Sequence, residues 1–321
     1  MDTHGRILSL DWLKAVFIVV VVLYHCPGID FYIQATFPTF FAIAGYLFKP
    51  GRYSFGQFAR RRCRQVLVPY LVFGALFYAL WLAMALVHSS RTGEAVDWLM
   101  PLRQLASGYP TAIVGAYWFA NCLLVMQLVY YAMMRWLPAR WHLPLTMAVS
   151  ATVYYLYYTE FWALSYMLLY MPFYVFGVQH KDFLARVQLD TWPRRMVAIV
   201  AAGAAVWLMS HAMTHWHREA HNLLMLVLQF GVVTCVFALA RWWTTVCRVH
   251  CIVRWVTFVS SSAIIFLAVQ NDVIYYLSLT FDRVLQLPMT AATGIAIAAL
   301  TMAIGTMTAW CIRRHFPFLN A

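Results

Sequence analysis

Three ionisable residues, Asp11, Lys14 and His25, stand in one apolar run near the N-terminus. A charge in the middle of a bilayer costs about 3 kcal/mol or more, so each is a functional candidate on placement alone. Lys14 and His25 are eleven residues apart. On an α-helix that spacing brings them within about 20° of a common face and separates them by about 16 Å along the axis. Asp11 lies one turn before Lys14 on a neighbouring face, within pairing reach. A cation at one end of such a stripe can hold an anionic group, and an imidazole at the other titrates near neutrality and can move a proton. The simpler reading stands beside it: Lys14 reaches back to the headgroups and His25 caps the helix end. A second cluster, Arg60, Arg61, Arg62 and Arg64, precedes the run beginning at Val66. It reads either as a topology anchor on anionic lipid or as an arginine patch that holds phosphates.

These residues need elements to position them, and composition names the kind. Of 321 residues, 64% are hydrophobic and 11% charged, against about 25% charged in an average soluble domain. A soluble single core could not hide that much apolar surface. A soluble enzyme, a secreted disulfide domain and a disordered scaffold are excluded. Apolar stretches recur at about 9–26, 34–48, 66–88, 111–134, 143–159, 162–179, 195–213, 221–240, 256–279 and 289–312, the length that crosses a bilayer. The second is short, and its Pro38 points to a broken or tilted entry; the ninth is interrupted by Gln270-Asn271-Asp272 and is expected to end early. The first holds charges and lacks a small-residue cleavage site, so it reads as a span and not as a leader. The expected fold is therefore all-α: a polytopic integral membrane protein of about ten transmembrane helices, one domain over residues 1–321 with no soluble part.

The net charge is +12. Of 23 basic residues, 18 fall in alternate loops on one side and four on the other. The positive-inside rule puts the basic side and both termini in the cytoplasm, and an even span count requires the same. The charge reports orientation in a cell (inner) membrane and is not a nucleic-acid surface.

Other constellations read more plainly. His211, His215, His217 and His221 have helical spacing but lack the partners of a metal site, so no metal is expected. The seven cysteines form no framework; Cys247 and Cys251 lack the spacing of structural zinc. The tyrosines of 154–158 and Tyr166, Tyr170 and Tyr174 read as an interfacial belt and helix packing, ahead of a sugar-stacking surface. The loop at about 89–110 reads as an outer lid.

Several strings are similar to one family. Lys14, ten residues, then His25 resembles the opening of the membrane-integral acyltransferase-3 family. Phe40-Phe41-Ala42-Ile43-Ala44-Gly45-Tyr46 resembles its second-span element, with Ala44 where serine is usual. The Arg60–Tyr70 string, Tyr117-Trp118-Phe119 with Leu123, and Pro172-Phe173-Tyr174-Val175-Phe176-Gly177 resemble further elements in the family's order. The resemblance runs from residue 6 to about 315. It departs late, where Gln270 follows the Ser261–Leu267 string in place of a histidine, and no extracytoplasmic esterase-like domain follows.

The resemblance implies acyl transfer from cytoplasmic acyl-CoA, with acetyl-CoA the expected co-substrate and no tightly bound cofactor, to a hydroxyl of a cell-envelope glycan or lipid-linked saccharide. On it, His25 is the general base, Lys14 and Asp11 complete the catalytic group, Arg60, Arg61, Arg62 and Arg64 hold the donor's phosphates, and Trp118 and Tyr46 contact substrate. An acyl-histidine relay is the other chemistry. Besides membrane lipid, donor and acceptor are the partners implied. A transporter or flippase of a lipid-linked saccharide or anionic solute, using Asp11 and Lys14 as pathway groups, is the competing class, and a non-catalytic membrane scaffold is a third.

Overall fold

The structure is a computed structural model that describes residues 7–29, 36–49, 51, 53–156, 159–187, 189–215, 218–247 and 249–320; the side chains of 36, 153–156, 210–215, 218–224, 317 and 320 lie outside that description. Among the described residues there is no strand. The helices are α1 (Leu8–His25), α2 (Thr36–Leu47), α3 (Phe55–Thr92), α4 (Met100–Ser107), α5 (Trp118–Trp136), α6 (Ala139–Leu156), α7 (Leu164–Gln179), α8 (Lys181–Arg186), α9 (Trp192–His215), α10 (Arg218–Val246), α11 (His250–Ser261), α12 (Ala263–Leu279) and α13 (Ala291–His315). By length and composition, seven segments among the described residues can cross a membrane: Leu8–His25, Phe55–Thr92, Gly115–Trp136, Phe161–Gln179, Met225–Val246, Ala263–Val284 and Ala291–His315. The fold is an all-α polytopic membrane protein. α2, α6 and α9 occupy the remaining expected positions, α2 as a helix of only 12 residues.

Two expected elements change shape. The run 256–279 is not one helix interrupted at Gln270–Asp272: α12 continues through those residues, and the break falls at Ser262, between α11 and α12. The serines there bond across the bundle, Ser260 to Asp11 and Ser261 to Arg313, which offers polar partners where the ladder of helical bonds ends. The arginine cluster does not precede its helix either. α3 starts at Ser54, whose side chain and Gln57 form a reciprocal capping box, and it ends on Gly93 with φ +77°. Its 38 residues span about 57 Å, against about 30 Å of hydrocarbon, so the arginines occupy helical turns in the excess length. Inside it Pro69 cannot donate to the preceding turn, and the Val66 carbonyl there accepts from the Tyr117 hydroxyl at 2.9 Å.

α2 and α7 cross in backbone contact. A Cβ on Gly45 would overlap the carbonyl oxygen of Tyr174, and one on Gly177 would overlap that of Ala42. The two motifs read separately in the sequence, around Gly45 and around Gly177, are thus each other's packing partner. The described residues form three apolar clusters, two of which adjoin one another. One of that pair gathers Phe41, Phe119, Met126, Tyr170, Phe173 and Tyr174; the other gathers Ile18, Val22, Tyr117, Ile265, Phe266 and Ile297. Phe40 and Leu267 touch both and mark the seam between them.

Candidate functional site

The seam is hollow. A cavity of about 270 Å3 is lined by one stripe from each of five segments. α1 contributes Lys14, Ile18, Val21 and His25, spaced three to four residues apart along one face. α2 contributes Phe37, Phe40, Ala44 and Leu47 at the same spacing, and α3 contributes Arg62, Gln65 and Val66. Ala116, Trp118, Ala120, Leu123 and Gln127 come from α5 and the turn before it. Ala263, Ile264 and Leu267 come from the first turns of α12, whose helix N-terminus carries partial positive charge.

At one end Lys14 Nζ lies 4.0 Å from Asp11 Oδ1. Asp11 is buried and accepts a 2.6 Å hydrogen bond from Ser260 Oγ. It ties α1 to α11 and touches the cavity only through Lys14. Arg62 donates to Gln65 Oε1 at 3.0 Å, and its guanidinium rests on the Phe58 ring at 5.7 Å. At the other end His25 is the last residue of α1, with the Tyr24 ring edge-on at 5.2 Å. Trp118 begins α5 and packs against Tyr166 at 4.8 Å and Phe37 at 5.4 Å. The middle is apolar: Ile18, Val21, Phe40, Ile264 and Leu267.

The turn that delivers Ala116 and Trp118 is held from several sides. Gln104 Oε1 accepts from the amides of Thr111 and Ala112 at 3.2 and 2.8 Å. Asn121 donates to the Gly108 carbonyl at 2.8 Å, and the Tyr70 hydroxyl donates to that of Leu105 at 2.7 Å. Val114 sits at φ +44°, a conformation a β-branched residue adopts only when its surroundings enforce it. The expected outer loop thus contains the helix α4 and is bonded down onto the bundle.

Of the residues singled out in the sequence, Lys14, His25, Arg62 and Trp118 come together on this one cavity. Asp11 stands behind Lys14. Arg60, Arg61 and Arg64 are exposed and do not line it; Arg61 donates to the Tyr53 hydroxyl at 2.5 Å instead. Tyr46 faces away, its ring 6.0 Å from Phe237. Gln270 lies one turn past Leu267 on α12, is 1% exposed, and has no hydrogen-bond partner on either amide atom among the described residues. Sequence reading passed over Gln65 and Gln127. Gln127 shares the face of Ala120, Leu123 and Leu124, so its spacing within an apolar run was the available signal.

The histidines at 211–221 and the tyrosines at 154–158 lie outside the described side chains. Tyr170 and Tyr174 are buried in the bundle, and Tyr166 stacks between Tyr109 and Trp118; all three pack against neighbouring rings. The seven cysteines are free.

A family model described as an acyltransferase domain (Acyl_transf_3) matches residues 7–311, nearly the whole chain. The chain belongs to the acyltransferase-3 family. No curated protein and no solved structure matches it. It is a multi-pass membrane acyltransferase, and the cavity of this acyltransferase is where its chemistry is sought.

Proposed function

We propose that this acyltransferase moves an acyl group, acetyl in the simplest case, from acyl-CoA to a hydroxyl of a cell-envelope or exopolysaccharide glycan. The donor enters from the basic, cytoplasmic side of the inner membrane, where both termini lie. The observation that carries the reading is one continuous cavity lined by Lys14 and Arg62 at one end and by His25 and Trp118 at the other. Lys14, Arg62 and the start of α12 suit the donor's phosphates. The apolar middle suits the thin pantetheine arm and keeps water from the thioester. Arg60, Arg61 and Arg64 are left as attractors at the entrance.

At the far end His25 accepts the proton of the acceptor hydroxyl as its oxygen attacks the thioester carbonyl. The carbon–sulfur bond breaks, and the imidazolium returns the proton to the departing CoA thiolate. Asp11, held by Ser260, orients Lys14 and does not reach the reacting atoms. Trp118 offers an aromatic face to the acceptor.

The test is release of free CoA by purified protein given labelled acetyl-CoA and a saccharide acceptor. The enzyme releases CoA and labels the saccharide, and His25→Ala does neither while still inserting in the membrane. Full transfer by His25→Ala would remove His25 from the mechanism. Saccharide movement with no thioester cleavage would favour the transporter reading.

A further inference from the structure

A second polar cavity, of about 400 Å3, lies outside the site above and uses none of its residues. It sits between the chain entering α9 and the last turns of α10, and is lined by Leu189, Asp190, Arg195, Arg241, Trp242 and Thr245. Trp243, the neighbour of Trp242, packs edge-on against Trp12 at 6.0 Å. Trp12 adjoins Asp11 on the first turns of α1, so this cavity lies at the membrane side of Lys14 and not that of His25.

Its two arginines are held in place, and among the described residues neither is paired with a carboxylate side chain. Arg195 donates through Nε to the Leu189 carbonyl at 2.8 Å and through a terminal nitrogen to the Asp190 carbonyl at 3.0 Å. Its guanidinium stacks on the Trp242 ring at 5.1 Å. Arg241 donates to the Leu184 carbonyl at 3.2 Å. Neutral carbonyls orient a guanidinium fork and leave its charge in place, and each arginine retains further donors. The one carboxylate of the lining, Asp190, pairs with Arg194 at 3.7 Å. Two oriented forks in a polar pocket match the oxygens of a phosphate ester. The surroundings favour a lipid as the source. In the turns that follow Arg195, α9 carries exposed Val197, Ile199 and Val200, an apolar flank along which acyl chains can lie.

We propose that the Arg195–Arg241 cavity is a phosphate-ester site that seats the headgroup of an anionic phospholipid. It stands independently of the acyl-transfer reading, because no residue of it lines the other cavity. The experiment is native mass spectrometry of the delipidated full chain titrated with phosphatidylglycerol, with phosphatidylcholine as the zwitterionic control. A parallel arm uses 3′,5′-ADP as a soluble phosphate ester. The chain is expected to retain phosphatidylglycerol over phosphatidylcholine, and Arg195→Gln with Arg241→Gln is expected to weaken that retention about twentyfold. Selective loss of 3′,5′-ADP binding instead would keep the phosphate chemistry and overturn the lipid as its source. Retention of both probes by the double variant would overturn the site. Should that variant not fold, Trp242→Ala, which removes the stacking surface under Arg195, and Arg241→Lys carry the same comparison.

Discussion

The stripe on α1 and the arginine cluster on α3 bring charge to the same cavity by opposite means. α1 is sparse: three ionisable residues in one apolar run, of which Lys14 and His25, eleven apart, line the cavity while Asp11 stands behind Lys14. α3 is dense: four arginines in five residues, of which Arg62 alone lines it. The difference is geometric. Successive helical residues are about 100° apart, so a run of adjacent charges points in every direction, and only the one in register with Gln65 and Val66 reaches the cavity. Spacing selects residues for the site, and density serves the surface around it.

That comparison can be broken in order of expected effect. His25→Ala should lower acyl transfer by about 10²–10⁴, the range of a general base, measured as CoA release per membrane-inserted protein. A loss under tenfold would mean that the α1 stripe is not the catalytic face. Next comes Arg62→Gln, expected to raise the acyl-CoA KM by about tenfold with little change in kcat, as for removal of one charged contact. The triple variant Arg60→Gln, Arg61→Gln, Arg64→Gln is expected to change KM by about twofold, since exposed charges contribute little. If the triple variant proved the more damaging, density rather than register would govern the site. Smallest is Ser260→Ala, which removes the hydroxyl donor to buried Asp11. It should lower the stability of the detergent-solubilised protein by about 1–3 kcal/mol, read as a fall in unfolding temperature, and leave KM for the donor nearly unchanged.

Much of the fold was legible because lipid solvent forces it: long apolar runs must become helices, and among the described residues seven of them are long and apolar enough to cross a membrane. What was not legible depends on contacts between distant segments. Gln270-Asn271-Asp272 looked like an interruption because the three are polar, yet their backbone stays helical. α11 ends at Ser262, and the side chains of Ser260 and Ser261 just before that break find partners on α1 and α13, contacts no local pattern shows. Neither Gly45 nor Gly177 announces alone that a carbonyl of the other helix occupies the place of its side chain. Within the site, the α1 stripe was readable from period alone. Arg62 was not separable from its neighbours until Gln65 and Val66 fixed the face. Tyr46 falls off the Phe37–Phe40–Ala44–Leu47 stripe, and that spacing was already in the sequence.

The central claim is that donor phosphates and the reacting hydroxyl meet through one cavity. Its most direct test is to fill the middle and leave both ends intact. Ala44 lines the cavity between Phe40 and Leu47 and is partly exposed to it. Single-turnover acyl transfer and CoA binding are measured on Ala44→Phe, with folding followed by gel filtration. The account predicts that transfer falls by about a hundredfold or more, because the pantetheine arm and the reacting atoms lose their approach, while CoA, still held by its phosphates, loses affinity by about tenfold at most. Transfer at the wild-type rate in a folded, CoA-binding Ala44→Phe protein would contradict it.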